Sequence, residues 1–66
     1  MRVYINGEER TLGDGGTIAS LAGSLGLDPR KVAVEVNLSI VPRSRYGETH
    51  LNDGDRIEIV QFIGGG

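Results

Sequence analysis

The sequence contains no cysteine and a single histidine, His50. Without thiols there is no disulfide framework, no thiol nucleophile and no thiolate metal site. One imidazole cannot build a multi-histidine centre, so no metal site is expected. Charge of one sign is also lacking. Seven basic residues stand against nine acidic ones, for a net charge of −2 at pH 7, whereas a chain held on nucleic acid mainly by charge is strongly basic. No apolar run approaches the roughly 20 residues that span a bilayer. The opening Met1-Arg2-Val3-Tyr4-Ile5-Asn6 has neither the apolar stretch nor the small-residue cleavage site of a secretion signal. A soluble cytoplasmic protein is expected, with no nucleic-acid and no membrane partner.

The 66 residues suffice for one domain, which buries only about 60% of the surface its unfolded chain exposes. One modest core fits; a deep catalytic cleft beside it does not. Glycine is abundant, with eleven residues, about twice its usual share of roughly 7%. Three of them, Gly64-Gly65-Gly66, stand together at the end of the sequence.

Val3 and Ile5 alternate with Arg2 and Tyr4, the pattern of a half-buried strand. Asn6-Gly7 then forms a tight turn, since both central residues of a type I′ hairpin need positive φ. Glu8 to Leu12 returns as a more polar edge strand. After the loop Gly13-Asp14-Gly15-Gly16, Thr17 is a helix N-cap. Ile18, Leu21, Ala22 and Leu25 form one helical stripe over 17–25. Gly26 suits the left-handed residue after the helix, and Pro29 blocks its continuation. Lys31 to Val36 reads as a third strand, with Val32, Val34 and Val36 on one face and Ala33 and Glu35 on the other. A turn at Asn37-Leu38-Ser39, a short strand at Ile40-Val41 ended by Pro42, an irregular stretch with a single helical turn from Arg43 to Leu51, a turn at 52–55 and a last strand from Arg56 to Phe62 complete the chain. The order β-β-α-β-β-β predicts an α+β domain, a mixed sheet of about five strands with one helix on one face.

The end of the chain points to chemistry. Glycines without side chains enter channels too narrow for other residues, and three extended residues reach roughly 10 Å. A terminal carboxylate on Gly66 is then presented on a thin arm. In the last strand Ile57 and Ile59 share one face, whereas Val60 and Phe62 share the other with Glu58. Apolar residues on a face that Glu58 marks as solvated predict a docking surface beside the arm, made by Val60, Phe62 and Ile63.

Several segments together carry a family resemblance: Val3-Tyr4-Ile5-Asn6-Gly7, Gly16-Thr17-Ile18 with Leu21 and Leu25, Val34-Glu35-Val36-Asn37, Ile40-Val41-Pro42-Arg43, Asp53 through Val60, and Phe62-Ile63-Gly64-Gly65-Gly66. Over essentially its whole length the chain resembles the ThiS family of sulfur carriers in thiamin thiazole biosynthesis. The resemblance implies a ubiquitin-like β-grasp domain over 1–63 and a flexible tail over 64–66. It also implies that Gly66 is adenylated by a ThiF-like enzyme, converted to a thiocarboxylate with sulfur from a persulfide donor protein, and used by a ThiG-like thiazole synthase. Gly64, Gly65 and Gly66 enter the partner's active site. ATP is consumed on that partner, because this chain has no GxxxxGK[ST] phosphate loop, and the carrier has no catalytic residue of its own and binds no permanent cofactor. The same chemistry fits a molybdopterin synthase small subunit or a tRNA-thiolation carrier. A TGS-like binding module and a lysine-conjugated modifier are the other readings.

Other features read as structural. Gly13 to Thr17 lacks the lysine and spacing of a phosphate loop, Asp53-Gly54-Asp55 lacks the other ligands of a calcium loop, and His50 reads as a loop residue. Arg43, Arg45 and Arg56 are candidates for a positive patch that steers an acidic partner.

Overall fold

A computed structural model describes residues 1–62 of the chain. Its strands are β1 (Arg2–Ile5), β2 (Glu8–Thr11), β3 (Val32–Val36), β4 (Ser39–Val41) and β5 (Arg56–Gln61), and its helix is α1 (Ile18–Ser24). Short 3₁₀ turns occupy Pro29–Lys31 and Arg43–Arg45. The sheet runs β2-β1-β5-β3-β4. The last strand of the sequence therefore lies in the middle, parallel to β1 and antiparallel to β3. Among the described residues no helix is long and apolar enough to cross a membrane.

Alternation along the three central strands builds the core. Val3 and Ile5 from β1, Val32 and Val34 from β3, and Ile57 from β5 meet Ile18 and Leu21 of α1. The expected facing of Val32 and Val34 against Ala33 and Glu35 is observed, as is the exposed edge position of β2. The Asn6-Gly7 turn has the anticipated positive φ angles of 50° and 83°.

The helix is too short to hold itself together in water, and its ends are tied down on both sides. Thr17 Oγ1 accepts from the Ser20 N–H at 3.2 Å while Ser20 Oγ accepts from the Thr17 N–H at 2.8 Å, a reciprocal cap. The N–H groups of Ile18 and Ala19, orphaned at any helix start, donate to the carbonyls of Thr49 and Tyr46, both at 3.0 Å. At the other end Leu27 N–H reaches the Ala22 carbonyl at 2.9 Å and Gly26 N–H the Gly23 carbonyl at 3.1 Å. Gly26 has φ +73°, so this is the predicted glycine termination, in Schellman form.

One local reading is corrected and another extended. Lys31 does not begin β3; Pro29 opens a 3₁₀ turn that includes Lys31, because Asp28 caps it by accepting from the Arg30 N–H at 2.9 Å. The Arg30 guanidinium, hydrogen-bonded to Asp28, holds that carboxyl below its ordinary value. The segment from Arg43 to Leu51 contains one helical turn and is also part of the core. Tyr46 and Leu51 are buried, and Tyr46 Oη donates to the Val32 carbonyl at 3.0 Å. Leu51 N–H donates to the Gly16 carbonyl at 3.0 Å. The segment thus replaces water at the start of α1 and plugs the helix–sheet interface in one stroke.

Tyr46→Phe removes one buried hydrogen bond and is expected to cost about 1 kcal/mol. Tyr46→Ala also leaves a cavity and costs about 3–5 kcal/mol, a large share of what so small a domain has. Urea unfolding measures both; equal costs for the two variants would place Tyr46 outside the core.

Candidate functional site

The sheet has one face covered by α1 and one open. On β5 the alternation sends Ile57 and Ile59 toward the helix and Arg56, Glu58 and Val60 outward. Register places Val60 opposite Ala33, Glu58 opposite Glu35, and Glu35 opposite Ile40 on β4. Val60 is 60% exposed and Phe62 47%. Phe62 is not covered by the 43–51 segment, which packs through Tyr46 on the helix side. Its N–H donates to the Lys31 carbonyl at 2.7 Å, so the chain is still held to the sheet where it leaves β5. Of the predicted docking residues, Val60 and Phe62 share the open face at the end of β5. Ile63, and the arm residues Gly64, Gly65 and Gly66, lie outside the described residues.

The open face is wider than the sequence indicated. Ile40 is 77% exposed and Leu38 90%. Leu38 sits in the β3–β4 turn at φ 71°, after Asn37 at φ 51°, a region costly for a residue with a branched side chain. The turn is held from below. Asn37 N–H donates to the Arg56 carbonyl at 2.8 Å, Asn37 Oδ1 accepts from the Arg56 N–H at 3.0 Å, and Asn37 Nδ2 donates to Asp55 Oδ1 at 3.0 Å. Nothing in the local sequence flags Leu38. The exposure of Ile40 follows only from the strand register.

The same network accounts for Asp53-Gly54-Asp55. Asp55 is buried, and its Oδ2 accepts from the Asn52 N–H at 2.8 Å. Asp53 Oδ1 accepts from the Arg2 N–H at 2.7 Å. Both carboxylates are turned to backbone and amide donors, as a structural turn requires. No group of three or more His, Cys, Asp and Glu suited to a metal ion occurs among the described residues. His50 is an exposed loop residue bridged to Thr17. Arg43 and Arg45 share the second 3₁₀ turn, with Arg45 facing Glu48 at 3.9 Å, whereas Arg56 opens β5 and stacks over the Tyr4 ring at 5.3 Å.

A central strand that ends beside an exposed apolar patch, under a one-helix mixed sheet, defines a ubiquitin-like β-grasp protein. The solved structure of the thiamine biosynthesis protein ThiS from Geobacter metallireducens superimposes with a TM-score of 0.81 over the whole of both chains, at 31% identity. The ThiS family model matches residues 3–66. The sulfur carrier protein ThiS of Bacillus subtilis is 49% identical over 53 residues, 80% of each chain. A thiazole synthase of Paramagnetospirillum magneticum is 58% identical over 66 residues, which is all of this chain and 20% of that protein. The chain thus spans about a fifth of the thiazole synthases it matches, and a second, from Magnetococcus marinus, is 46% identical over the same share. This chain belongs to the ThiS family.

Replacing the open-face pair with Val60→Thr and Phe62→Thr keeps strand-forming residues and removes only exposed apolar surface. The stability change is expected to stay within about 1 kcal/mol, checked by thermal unfolding; a larger loss would show that these side chains serve the core.

Proposed function

We propose that the protein is a sulfur carrier of thiamin thiazole biosynthesis and that Gly66 is its reactive residue. The observation that carries this reading is the exposed pair Val60, in β5, and Phe62, just past its end, which in the sequence is separated from Gly64-Gly65-Gly66 by Ile63 alone. It is supported by membership in the ThiS family and by likeness to two thiazole synthases. The latter favours a ThiG-like synthase as the acceptor over the acceptors of other sulfur carriers.

A carboxylate resists nucleophilic attack until its oxygen becomes part of a better leaving group. A ThiF-like partner supplies ATP; a Gly66 carboxylate oxygen bonds to the α-phosphorus and pyrophosphate departs. A persulfide sulfur from a donor protein then attacks the acyl carbon and AMP leaves with the bonding electrons. Cleavage of the remaining S–S bond by a thiol frees the thiocarboxylate, whose sulfur is nucleophilic enough for ring construction on the synthase. The carrier contributes no acid, base or cofactor. It is a co-substrate that offers a docking surface, an arm and a carboxylate. Dependence on ATP and on persulfide chemistry assigns it to the cytoplasm.

Deletion of Gly66 is expected to abolish thiocarboxylate formation in a mixture of ThiF-like enzyme, ATP and sulfur donor, while circular dichroism stays unchanged. Continued conversion of the truncated protein would contradict the role of Gly66. Val60→Thr with Phe62→Thr is expected to weaken binding to the adenylating enzyme by about tenfold or more, as loss of a central apolar anchor does. Titration calorimetry checks this, and an unchanged Kd would remove the patch from the interface.

A further inference from the structure

The open face of the sheet sets two like charges side by side. Register places Glu35 of β3 directly opposite Glu58 of β5, on two strands that both lie inside the sheet. Glu35 is half-buried and Glu58 exposed. Directly opposed side chains stand about 5 Å apart at Cβ, and like charges there destabilise a sheet. Among the described residues neither carboxylate has an ion pair; the ion pairs present engage Asp14, Glu9, Glu8, Asp28 and Glu48. Arg56, two positions back along β5, lies over the Tyr4 ring instead. No third ligand joins the two glutamates to make a metal site among the described residues. Apolar groups border the pair. Ile40, opposite Glu35 on β4, is 77% exposed, and Val60, next after Glu58 on the same face, is 60% exposed.

Resting on the sulfur-carrier reading, we propose that the centre of this face docks the adenylating enzyme through an arginine of that enzyme. Its guanidinium bridges Glu35 and Glu58 while the apolar surface around it covers Ile40 and Val60. Three arguments choose this occupant. The face is continuous with Val60, whose patch the proposed function already gives to that enzyme. An enzyme that holds ATP gathers cationic groups about the phosphates, and the resulting positive field favours an acidic carrier face. Two neighbouring carboxylates need directional donors on both sides, which the planar fork of a guanidinium supplies and a lysine ammonium supplies less well. The cross-strand repulsion of the free carrier is thus relieved only in the complex.

The test is calorimetric titration of the ThiF-like enzyme of the same organism with the full-length carrier, as wild type and as Glu35→Gln, Glu58→Gln, Glu58→Lys and Glu8→Gln. Glu8 pairs with the core residue Ile5 and so faces the helix side; its variant changes the net charge equally and leaves the open face intact. Glu35→Gln and Glu58→Gln are each expected to weaken binding about tenfold, and Glu58→Lys about a hundredfold, with Glu8→Gln within about twofold of wild type. Wild-type affinity is expected to fall as salt rises from about 0.05 to 0.3 M, and that of Glu58→Gln to fall less. The unfolding temperature of the free carrier is expected to hold or rise in all three open-face variants, since each removes the repulsion and Glu58→Lys replaces it with an opposite-charge pair. An unchanged Kd in folded Glu35→Gln and Glu58→Gln overturns the proposal, as does an equal loss in Glu8→Gln, which would mark a general charge effect. A lowered unfolding temperature in both glutamine variants overturns the repulsion on which it rests. A wild-type carrier that neither binds the enzyme nor releases pyrophosphate from ATP in its presence overturns the sulfur-carrier reading itself.

Discussion

The interaction on which the rest depends is the insertion of β5 between β1 and β3. Ile57 is completely buried there, with the Tyr4 and Asn6 N–H groups donating to Asp55 and Ile57 on one side and the β3 ladder on the other. A strand in the centre of a sheet has no freedom to shift register, because a one-residue slip would send Ile57 to solvent and Val60 into the core. That constraint holds the outward set Arg56, Glu58 and Val60 in place. It also delivers the chain to Phe62 at a defined point.

The opposite face is closed by mutual support between parts that are each too weak alone. The seven residues of α1 do not make a stable helix in isolation. The segment from Tyr46 to Leu51 has no regular structure to satisfy its own backbone. Each supplies what the other lacks: carbonyls of Tyr46 and Thr49 take the orphan donors of α1, and the core formed by Ile18 and Leu21 receives Tyr46 and Leu51. The apolar material is spent on that side, so the exposed Leu38, Ile40, Val60 and Phe62 have no structural use within the domain. Of these, Ile40 and Val60 are placed on the open face by the strand register, and exposed apolar groups on such a face are characteristic of a surface that meets another protein.

Much of this was legible in the residues. Period-2 alternation gave the core faces of β1, β3 and β5, Thr17 and Gly26 marked the ends of α1, and Asn6-Gly7 marked the hairpin, because each signal is local and has a steric cause. The outward direction of Val60 and Phe62 followed from the same alternation. What was not legible depends on partners distant in sequence. The central position of β5, its parallel pairing with β1 and the entry of Tyr46 into the core are set by tertiary packing. The left-handed turn at Asn37 and Leu38 is held, through Asn37, by Asp55 and Arg56 from another part of the chain. The facing of Glu35 and Glu58 appears only in the register of β3 against β5.

The account rests on Gly66 ending the chain with a carboxylate that partners convert. Intact-mass spectrometry of the untagged protein from its own cells tests this most directly. The expected result is a fraction of molecules ending at Gly66 and heavier by the exchange of one oxygen for sulfur, with the gain localised to Gly66 on fragmentation and reversed by hydrolysis. A chain that continues past Gly66, or one that carries an unmodified carboxylate in every molecule even after incubation with ATP, adenylating enzyme and sulfur donor, would contradict it.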